Sequence, residues 1–429
     1  MTAMKKQIES KRLPAAVVMN MFYTGLGIAR SLGERGIRVI GLSAHRGVYG
    51  NFTRYADIRG CPDSREDPEG LEQFLLRLGE ELDGSKLLFP TRDDDVLFLE
   101  RRRDRLGDRF MPVLPSTQAL TTCLDKWATY KLAQNVGVPV PETWKIETLE
   151  ELLPLVDEIH YPCVMKPLSA HFWRKGDNWK KVGARKAICL GSAEGLIEEY
   201  KLVAAADPRV VIQEVVPGGD DQLFIAACYM DRSAHLAAAF TAQKVLQVPE
   251  GFGTGCIVQT ADRPELIAEA SGLLQAIRFS GIAEVEFKWD AVSASYKLIE
   301  INPRPWDQHR LGHAAGVDLI YAAYCDFAGL AVAPGQRNPE RWKWVAEDVL
   351  LLALLRSLWR RDGRFWALLR LARGKKIYAI WSASDPLPSI VYTPRHWLGS
   401  LAAWGRGRLR SALGLRMPNP PSLEEKTVP

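Results

Sequence analysis

The chain has 429 residues, too many for one ordinary hydrophobic core, so two or three domains are expected. Its composition is 47% apolar, 25% charged and 9% aromatic, which excludes a disordered chain, a collagen-like repeat and a coiled-coil rod. Seven Cys without a CxxC pair argue against a disulfide framework and a structural zinc site, and the net charge of +5 is too mild to mark the whole chain as a polyanion binder.

The N-terminal apolar run beginning at Leu13 does not have the form of a signal peptide. It is interrupted by Asn20, Thr24 and Gly25 and shows no obvious cleavage site. The most apolar segment elsewhere, residues 349–355, is far short of the roughly 20 residues that span a bilayer. Together with the cysteine usage, these features predict a cytoplasmic protein.

A βαβ unit is predicted near the start of the chain. Residues 15–19 form an apolar strand, residues 24–27 a glycine-bearing turn, and the helix that follows ends near Gly36. A second strand over residues 37–42 completes the unit and implies a parallel sheet. The turn lacks a full GxGxxG pattern and no acidic residue ends the second strand, which argues against nicotinamide binding.

A later strand over residues 86–90 is followed by the acidic stretch 91–95. In an open α/β sheet, ligands bind at the carboxyl edge of the strands, so these acids are candidates for a site. Negative charge also stabilises a helix N-terminus, and we prefer this second interpretation slightly.

From residue 116 onward, helices alternate with short strands and glycine-containing loops. A helix through residues 125–132 is ended by Pro139 and Pro141. The segments predicted after it are a strand over 163–167, a polar loop over 169–183, a strand over 187–190, a helix from 193, a strand over 210–214, a glycine-rich loop over 249–255, a helix over 265–277 and a hairpin formed by 283–288 and 296–302.

The hairpin carries paired acids. Strand alternation places Glu284, Glu286 and Lys288 on one face and Glu300 with Asn302 on the corresponding face of the partner strand. Two carboxylates and an amide oxygen form an all-oxygen ligand set that suits Mg²⁺. A solvated acidic surface is the alternative, but the apolar residues between the acids indicate a sheet that is buried on at least one side.

Basic and hinge-like residues precede this hairpin. Lys166 ends an apolar strand, so its ammonium group would project from a rigid element, although a single Lys is more often a surface residue. Glu214 closes another strand, which would leave the backbone of Val215 and Val216 free to pair with an adenine edge. Asp221 follows within reach of a ribose.

In this order the residues resemble the ATP-grasp superfamily from about residue 116 to residue 330. The most specific part is Glu286 followed fourteen residues later by Glu300, in the run that continues through Asn302 and Arg304. The segments 162–167 and 212–218 support the resemblance. It implies an α/β chain with a parallel-sheet, Rossmann-like domain preceding a two-lobed ATP-grasp α+β domain.

The resemblance also implies ligands and residue roles. It implies ATP with two Mg²⁺ ions, which Mn²⁺ could replace. The implied positions are Lys126 and Lys166 on the phosphates, Glu214 and Val216 at the adenine, Asp221 on the ribose, Glu286, Glu300 and Asn302 on the metals, and Arg304 on the transferring phosphoryl group.

Within the superfamily, the ending over residues 300–306 looks most like D-aspartate ligase and related carboxylate–amine ligases. The implied reaction joins a small carboxylate and an amine through an acyl phosphate and releases ADP and phosphate. Residues 251–255 are a candidate lid that excludes water, with Lys244 near its base as a second catalytic candidate, and a simple flexible hairpin loop is the alternative. A second hypothesis for the whole chain is a catalytically inactive nucleotide-binding scaffold that is attached to a membrane or an anionic polymer through its basic, Trp-rich C-terminal region.

The C-terminal region is basic and rich in Trp. From Arg341 onward it holds 16 Lys or Arg against 6 Asp or Glu, and seven of the 13 Trp. The sequence predicts a helical appendage packed on the main body, with weak peripheral contact to the inner face of the membrane as a secondary role. Nucleic-acid binding is disfavoured because no RNA- or DNA-binding motif accompanies the charge. The predicted divisions are 1–115, 116–330 (lobes 116–215 and 216–330) and 331–429.

Overall fold

The computed structural model describes residues 13–174, 176–249, 251, 253–332 and 340–392. Within these residues the strands form three sheets of five, four and seven strands, which follow one another along the chain. Helices cover the sheets, so the chain has the mixed α/β architecture that the sequence predicts. In the described part of the chain, no helix is long and apolar enough to cross a membrane.

The first sheet is parallel, with strand order β3-β2-β1-β4-β5. Its strands are β1 (Ala15–Met19), β2 (Val39–Ser43), β3 (Asp57–Gly60), β4 (Lys86–Phe89) and β5 (Met111–Pro112). The helices α1 (Tyr23–Gly33), α2 (Pro68–Glu81), α3 (Asp93–Arg101) and α4 (Arg103–Leu106) connect them. Every residue of β1 is buried, and alternate residues enter two different apolar clusters, as expected for a central strand covered on both faces.

The turn between β1 and α1 shows why glycine is needed there. A Cβ atom on Gly25 would lie 1.9 Å from the carbonyl oxygen of Asn20, so no larger residue fits. The parallel pairing of β1 with β2, which α1 connects, confirms the predicted βαβ unit. Its second strand begins at Val39 rather than at residue 37.

The second sheet is antiparallel, with strand order β6-β9-β7-β8. Its strands are β6 (Thr143–Ile146), β7 (Cys163–Pro167), β8 (Ile188–Leu190) and β9 (Val210–Glu214). The helices before and around it are α5 (Thr117–Leu124), α6 (Lys126–Asn135), α7 (Leu149–Leu152), α8 (Ala170–Arg174), α9 (Asn178–Lys181) and α10 (Ala193–Ala204). The prediction of a loop over residues 169–183 was wrong, because burial of Trp173 in the core beneath β7 fixes a helical turn there.

The third sheet is the largest, with strand order β14-β13-β10-β11-β12-β15-β16. Its strands are β10 (Leu223–Met230), β11 (Leu236–Val248), β12 (Thr254–Ala261), β13 (Gly281–Asp290), β14 (Ser295–Asn302), β15 (Lys343–Val345) and β16 (Lys376–Tyr378). The associated helices are α11 (Pro264–Ala276), α12 (Arg310–Ala314), α13 (Leu319–Phe327), α14 (Glu347–Arg360) and α15 (Phe365–Leu371).

The region after residue 340 is not purely helical, contrary to the prediction. β15 pairs with β12, and β16 pairs with β15, so this region extends the main sheet. Trp344 is buried and packs edge-on against Tyr23, whose hydroxyl donates to Asp348 at 2.5 Å. Pairing of open strand edges accounts for strands that are too short to be recognised from the sequence. Trp397 and Trp404 lie outside the described residues.

Candidate active site

One large cavity, of about 1080 Å³, lies where the three sheets approach one another. Its lining includes Asp93 at the start of α3, Lys166 on the second sheet and Glu286 on the third sheet. All the site residues predicted from the sequence line this cavity, namely Lys126, Lys166, Glu214, Val216, Asp221, Lys244, Glu286, Glu300, Asn302 and Arg304.

The acidic hairpin brings together the residues that strand alternation predicts to share a face. Glu286 is paired with Glu300 and Glu284 with Asn302 across β13 and β14. The register shifts immediately after Glu286, which places an extra residue, Ile299, on β14. The hydroxyl of Tyr130 donates to the Ile299 carbonyl at 2.8 Å and so ties helix α6 to the hairpin beside the two carboxylates.

Buried charges surround these carboxylates. Lys244 Nζ donates to Glu286 Oε2 at 2.5 Å, and the side chains of both residues are about nine-tenths buried. Burial raises the pKa of Glu284, with Glu286 and Glu300 adding to the effect. Burial has the same tendency at Glu300, but the ammonium groups of Lys126 and Lys244 outweigh it and lower the pKa of that carboxyl.

Asn302 presents its amide in a defined orientation. Its Nδ2 donates to Glu284 Oε2 and to Glu300 Oε1, both at 3.1 Å, so its Oδ1 is not used by either acid. Over the described ranges, no three His, Cys, Asp or Glu side chains form a metal site by themselves. The site therefore offers two carboxylates and one amide oxygen, a set that fits an Mg²⁺ ion whose remaining ligands are water and phosphate oxygens.

Lys166 and Lys126 are brought to the same cavity by different elements. Lys166 Nζ donates to Gln213 Oε1 on the neighbouring strand β9 at 2.9 Å. Burial, with the nearby charge of Lys126, lowers the pKa of Lys166 to about 8. The backbone N–H of Lys126 donates to the Leu168 carbonyl at 3.0 Å, which joins the start of α6 to the end of β7.

The backbone at Val216, which the sequence predicts to be free to pair with adenine, is partly occupied. The Val216 carbonyl is not free, because Lys288 Nζ donates to it at 2.8 Å. Lys288 lies two residues after Glu286 and therefore points to the same side of β13. The Glu214 carboxylate forms an ion pair with Lys297.

Arg304 is held by the first part of the chain. Its Nε donates to Asp93 Oδ1 at 2.6 Å, and Arg174 Nη1 lies 3.8 Å from Asp93 Oδ2. Burial opposes ionisation of Asp93, but these two arginines, with Arg304 the stronger, lower the pKa of its carboxyl. The helix α3 begins at Asp93 and carries acids in its first turn, so the helix N-terminus predicted here is confirmed and also faces the cavity.

Comparison with known proteins identifies the central part of the chain. Residues 125–329 match the family described as carbamoyl-phosphate synthase L chain, ATP binding domain. This match supports the resemblance of these residues to the ATP-grasp superfamily. The hairpin acids, Lys126 and Lys166 all lie within the matched residues.

Individual proteins are similar to more of the chain. The D-aspartate ligase of Enterococcus faecium is 22% identical over 278 residues, 59% of this chain, and the match spans 62% of that relative's length. A magnesium-ADP complex of the biotin carboxylase domain of Hydrogenobacter thermophilus 2-oxoglutarate carboxylase has a TM-score of 0.62 at 14% identity, covering 77% of this chain and 74% of that chain. The L-amino acid ligase of Bacillus licheniformis has a TM-score of 0.53 at 14% identity and covers 74% of each chain.

Two contacts at the candidate site were not predicted from the sequence. Asp93 lies 211 residues before Arg304, and no local pattern signals their contact. Asp220 accepts hydrogen bonds from the backbone N–H groups of Gln247 and Gly251, both at 3.1 Å, and so anchors the start of the predicted lid. Positions 250 and 252 of that lid lie outside the described residues.

Proposed function

We propose that this protein is an ATP-dependent ligase that joins a carboxylate to an amine through an acyl phosphate, with release of ADP and phosphate. The observation that carries the proposal is the pairing of Glu286 with Glu300 in a cavity that is also lined by Lys166 and Arg304. Acids that face cations across one cavity suit a reaction in which phosphate charge is neutralised on all sides.

In this proposal the nucleotide lies between the second and third sheets. Lys126 and Lys166 bind the phosphates, and Asp221 binds the ribose. The adenine pairs with the backbone at Glu214 and Val216, where the Val216 N–H is the remaining donor because Lys288 occupies the carbonyl. The same lysine would then fix the distance between the hinge and strand β13.

Glu286, Glu300 and the Oδ1 of Asn302 would hold two Mg²⁺ ions. When bound, Mg²⁺ offsets the negative charge of the phosphates and orients them for transfer. Lys244, which pairs with Glu286 at 2.5 Å, compensates part of the acidic charge. The ammonium groups of Lys126 and Lys244 lower the pKa of the second carboxylate, Glu300, and so favour its ionised form.

The proposed chemistry has two steps. A carboxylate oxygen of the substrate attacks the γ-phosphorus of ATP, and the bond to the ADP oxygen breaks. The amine nitrogen then attacks the acyl carbon, phosphate leaves, and the nitrogen loses its proton as the amide forms. Arg304 would neutralise the charge on the transferring phosphoryl oxygens, and Lys244 lies beside the same acids as a second cation.

Water must be kept from the acyl phosphate. The segment after β11 is tied down by Asp220, which contacts both Gln247 and Gly251. On the opposite side of the cavity Lys186 Nζ reaches Thr254 Oγ1 at 3.4 Å. These contacts position a cover over the cavity, as a lid requires.

Lys166→Met tests the phosphate contact. The substitution retains the length of the side chain but removes the cation, so we expect ATP affinity to fall by more than about tenfold, or about 1.4 kcal/mol. A binding titration with ATP and Mg²⁺ measures this, and Lys201→Met on the exposed side of α10 is the matched control. Equal ATP affinity in the two variants would show that Lys166 does not bind the phosphates.

Asp93→Asn tests the positioning of Arg304. Asn keeps the shape of Asp but loses the charge that holds the guanidinium, so we expect kcat to fall by about 10- to 100-fold while ATP affinity stays unchanged. Asp93→Glu should recover part of the loss, and Asp104→Asn on exposed α4 should have no effect. A normal kcat in Asp93→Asn, or a loss confined to ATP binding, would contradict the assignment.

The proposed activity is tested by ADP release from the purified chain with ATP and Mg²⁺ across pairs of amino acids and small carboxylic acids. We expect release that requires both a carboxylate and an amine. ATP binding without ADP release for any pair would favour the alternative of an inactive nucleotide-binding scaffold.

A further inference from the structure

Helix α14 exposes an apolar stripe to the outside of the protein. Leu351, Leu355, Leu358 and Trp359 follow the spacing of one helix face, and they are 38%, 40%, 52% and 58% exposed. An apolar helix face with this spacing usually packs against a hydrophobic core. In α14 a different face packs against the rest of the protein, and it includes the buried residue Leu350.

The short helix α15 continues the same surface. Its Trp366 is 68% exposed, whereas Leu368 is buried against the main core. Both helices are therefore fixed to the protein by one side and present large apolar groups on the other. We call residues 351–376 the α14–α15 surface.

Positive charge dominates the α14–α15 surface. Residues 351–376 contain eight Arg or Lys, of which Lys375 pairs with Glu340, and a single acid, Asp362, which accepts a hydrogen bond from the hydroxyl of Ser357. Arg356, Arg360 and Arg361 are exposed beside the apolar stripe. Exposed Trp and Leu next to arginines match the boundary of a bilayer, where apolar groups enter the acyl region and cations meet anionic headgroups.

We propose that the α14–α15 surface binds an anionic lipid membrane. Charge argues against two other occupants. A second copy of the chain would bring an identical positive surface, and residues 393–429 of the same chain carry six Arg or Lys against two Glu. A nucleic acid would satisfy the charge but would leave the exposed stripe of Leu and Trp without a function.

The contact is peripheral, and it lies close to the cavity. α14 has 14 residues, too few to cross a bilayer, so it lies in the plane of the interface. Arg364 and Leu371, at the two ends of α15, line the large cavity. Docking would therefore hold the cavity beside the lipid surface. The proposal does not depend on the ligase activity.

The test is sedimentation of the full chain with vesicles of phosphatidylcholine alone or mixed with phosphatidylglycerol. We expect binding to the mixed vesicles only, and weaker binding at high salt because exposed charges are screened. Arg356→Glu/Arg360→Glu and Leu355→Ser/Leu358→Ser should each reduce the binding about tenfold or more. Arg77→Glu/Lys201→Glu makes the same change in net charge on exposed positions of α2 and α10 and should bind as the parent does.

Several results would overturn the proposal. These are failure of the parent chain to bind the mixed vesicles, equal binding to both vesicle types, and an equal loss in the Arg77→Glu/Lys201→Glu control. Single-stranded RNA binding that depends on Arg356 and Arg360, without vesicle binding, would assign the surface to nucleic acid. A concentration-dependent dimer disrupted by Leu355→Ser/Leu358→Ser, without vesicle binding, would assign it to a second copy. Melting curves show that each variant is folded.

Discussion

Glu300→Gln is expected to reduce ATP turnover by at least about 100-fold while the protein remains folded. The amide keeps the shape of the carboxylate but removes the negative charge of one of the two paired acids, Glu286 and Glu300. The site would then lose a carboxylate that interacts with Lys126 and Lys244, and with it affinity for Mg²⁺. ADP release at saturating ATP and Mg²⁺ measures the effect.

The matched control for this variant is Glu198→Gln, an exposed position on α10 outside the cavity. It makes the same chemical change and should retain parental turnover. A melting temperature close to that of the parent would show that Glu300→Gln is folded. Near-parental ADP release by a folded Glu300→Gln protein would be incompatible with a catalytic metal site at the hairpin.

Asp385→Ala is expected to destabilise the protein by about 3–5 kcal/mol. Asp385 Oδ2 accepts from Arg30 Nε at 2.9 Å and from the hydroxyl of Thr53 at 2.6 Å, and the side chains of Arg30 and Asp385 are at most 1% exposed. Removing the carboxylate leaves a guanidinium buried without its counter-charge. Thermal unfolding should show a clearly lower melting temperature.

Asp157→Ala, at an exposed position after α7, is the control for Asp385→Ala and should leave the melting temperature nearly unchanged. The pair also tests the attachment of the C-terminal region, because Arg30 Nη2 donates to the Ile380 carbonyl at 2.6 Å as well. If Asp385→Ala melted with the parent, the segment from β16 to Asp385 would not be held on α1 as described.

The acidic hairpin could be predicted because the sequence signals for it lie within the two strands and their short connection. Alternation along β13 and β14 determines which acids share a face, and a short connection determines that the strands pair. The position of Lys166 at the end of an apolar strand is predictable for the same reason. The exact pairing of Glu286 with Glu300 also needs the extra residue Ile299 on β14, which these two rules do not predict.

Contacts between distant parts of the chain could not be predicted. Asp93 and Arg304 are 211 residues apart, and Arg30 and Asp385 are 355 residues apart. The local sequence around each of these residues contains no signal for its distant partner. Only the packing of the first sheet against the third brings the partners together and buries them.

The strands β15 and β16 show a second limit. Each has three residues, too few for any periodicity, and their pairing is determined by the open edge that β12 presents. The engagement of the Val216 carbonyl by Lys288 was missed because it joins a loop to a strand 72 residues away. In both cases the local sequence is compatible with several structures.

The most direct test of the proposed reaction follows an oxygen atom of the substrate carboxylate into the phosphate that is released. A carboxylate substrate labelled with heavy oxygen is incubated with the protein, ATP, Mg²⁺ and an amine, using the pair that supports the highest ADP release. If the carboxylate is phosphorylated, mass spectrometry will find one labelled oxygen in each phosphate released, together with ADP and the amide. Unlabelled phosphate, or AMP and pyrophosphate in place of ADP, would contradict an acyl-phosphate mechanism.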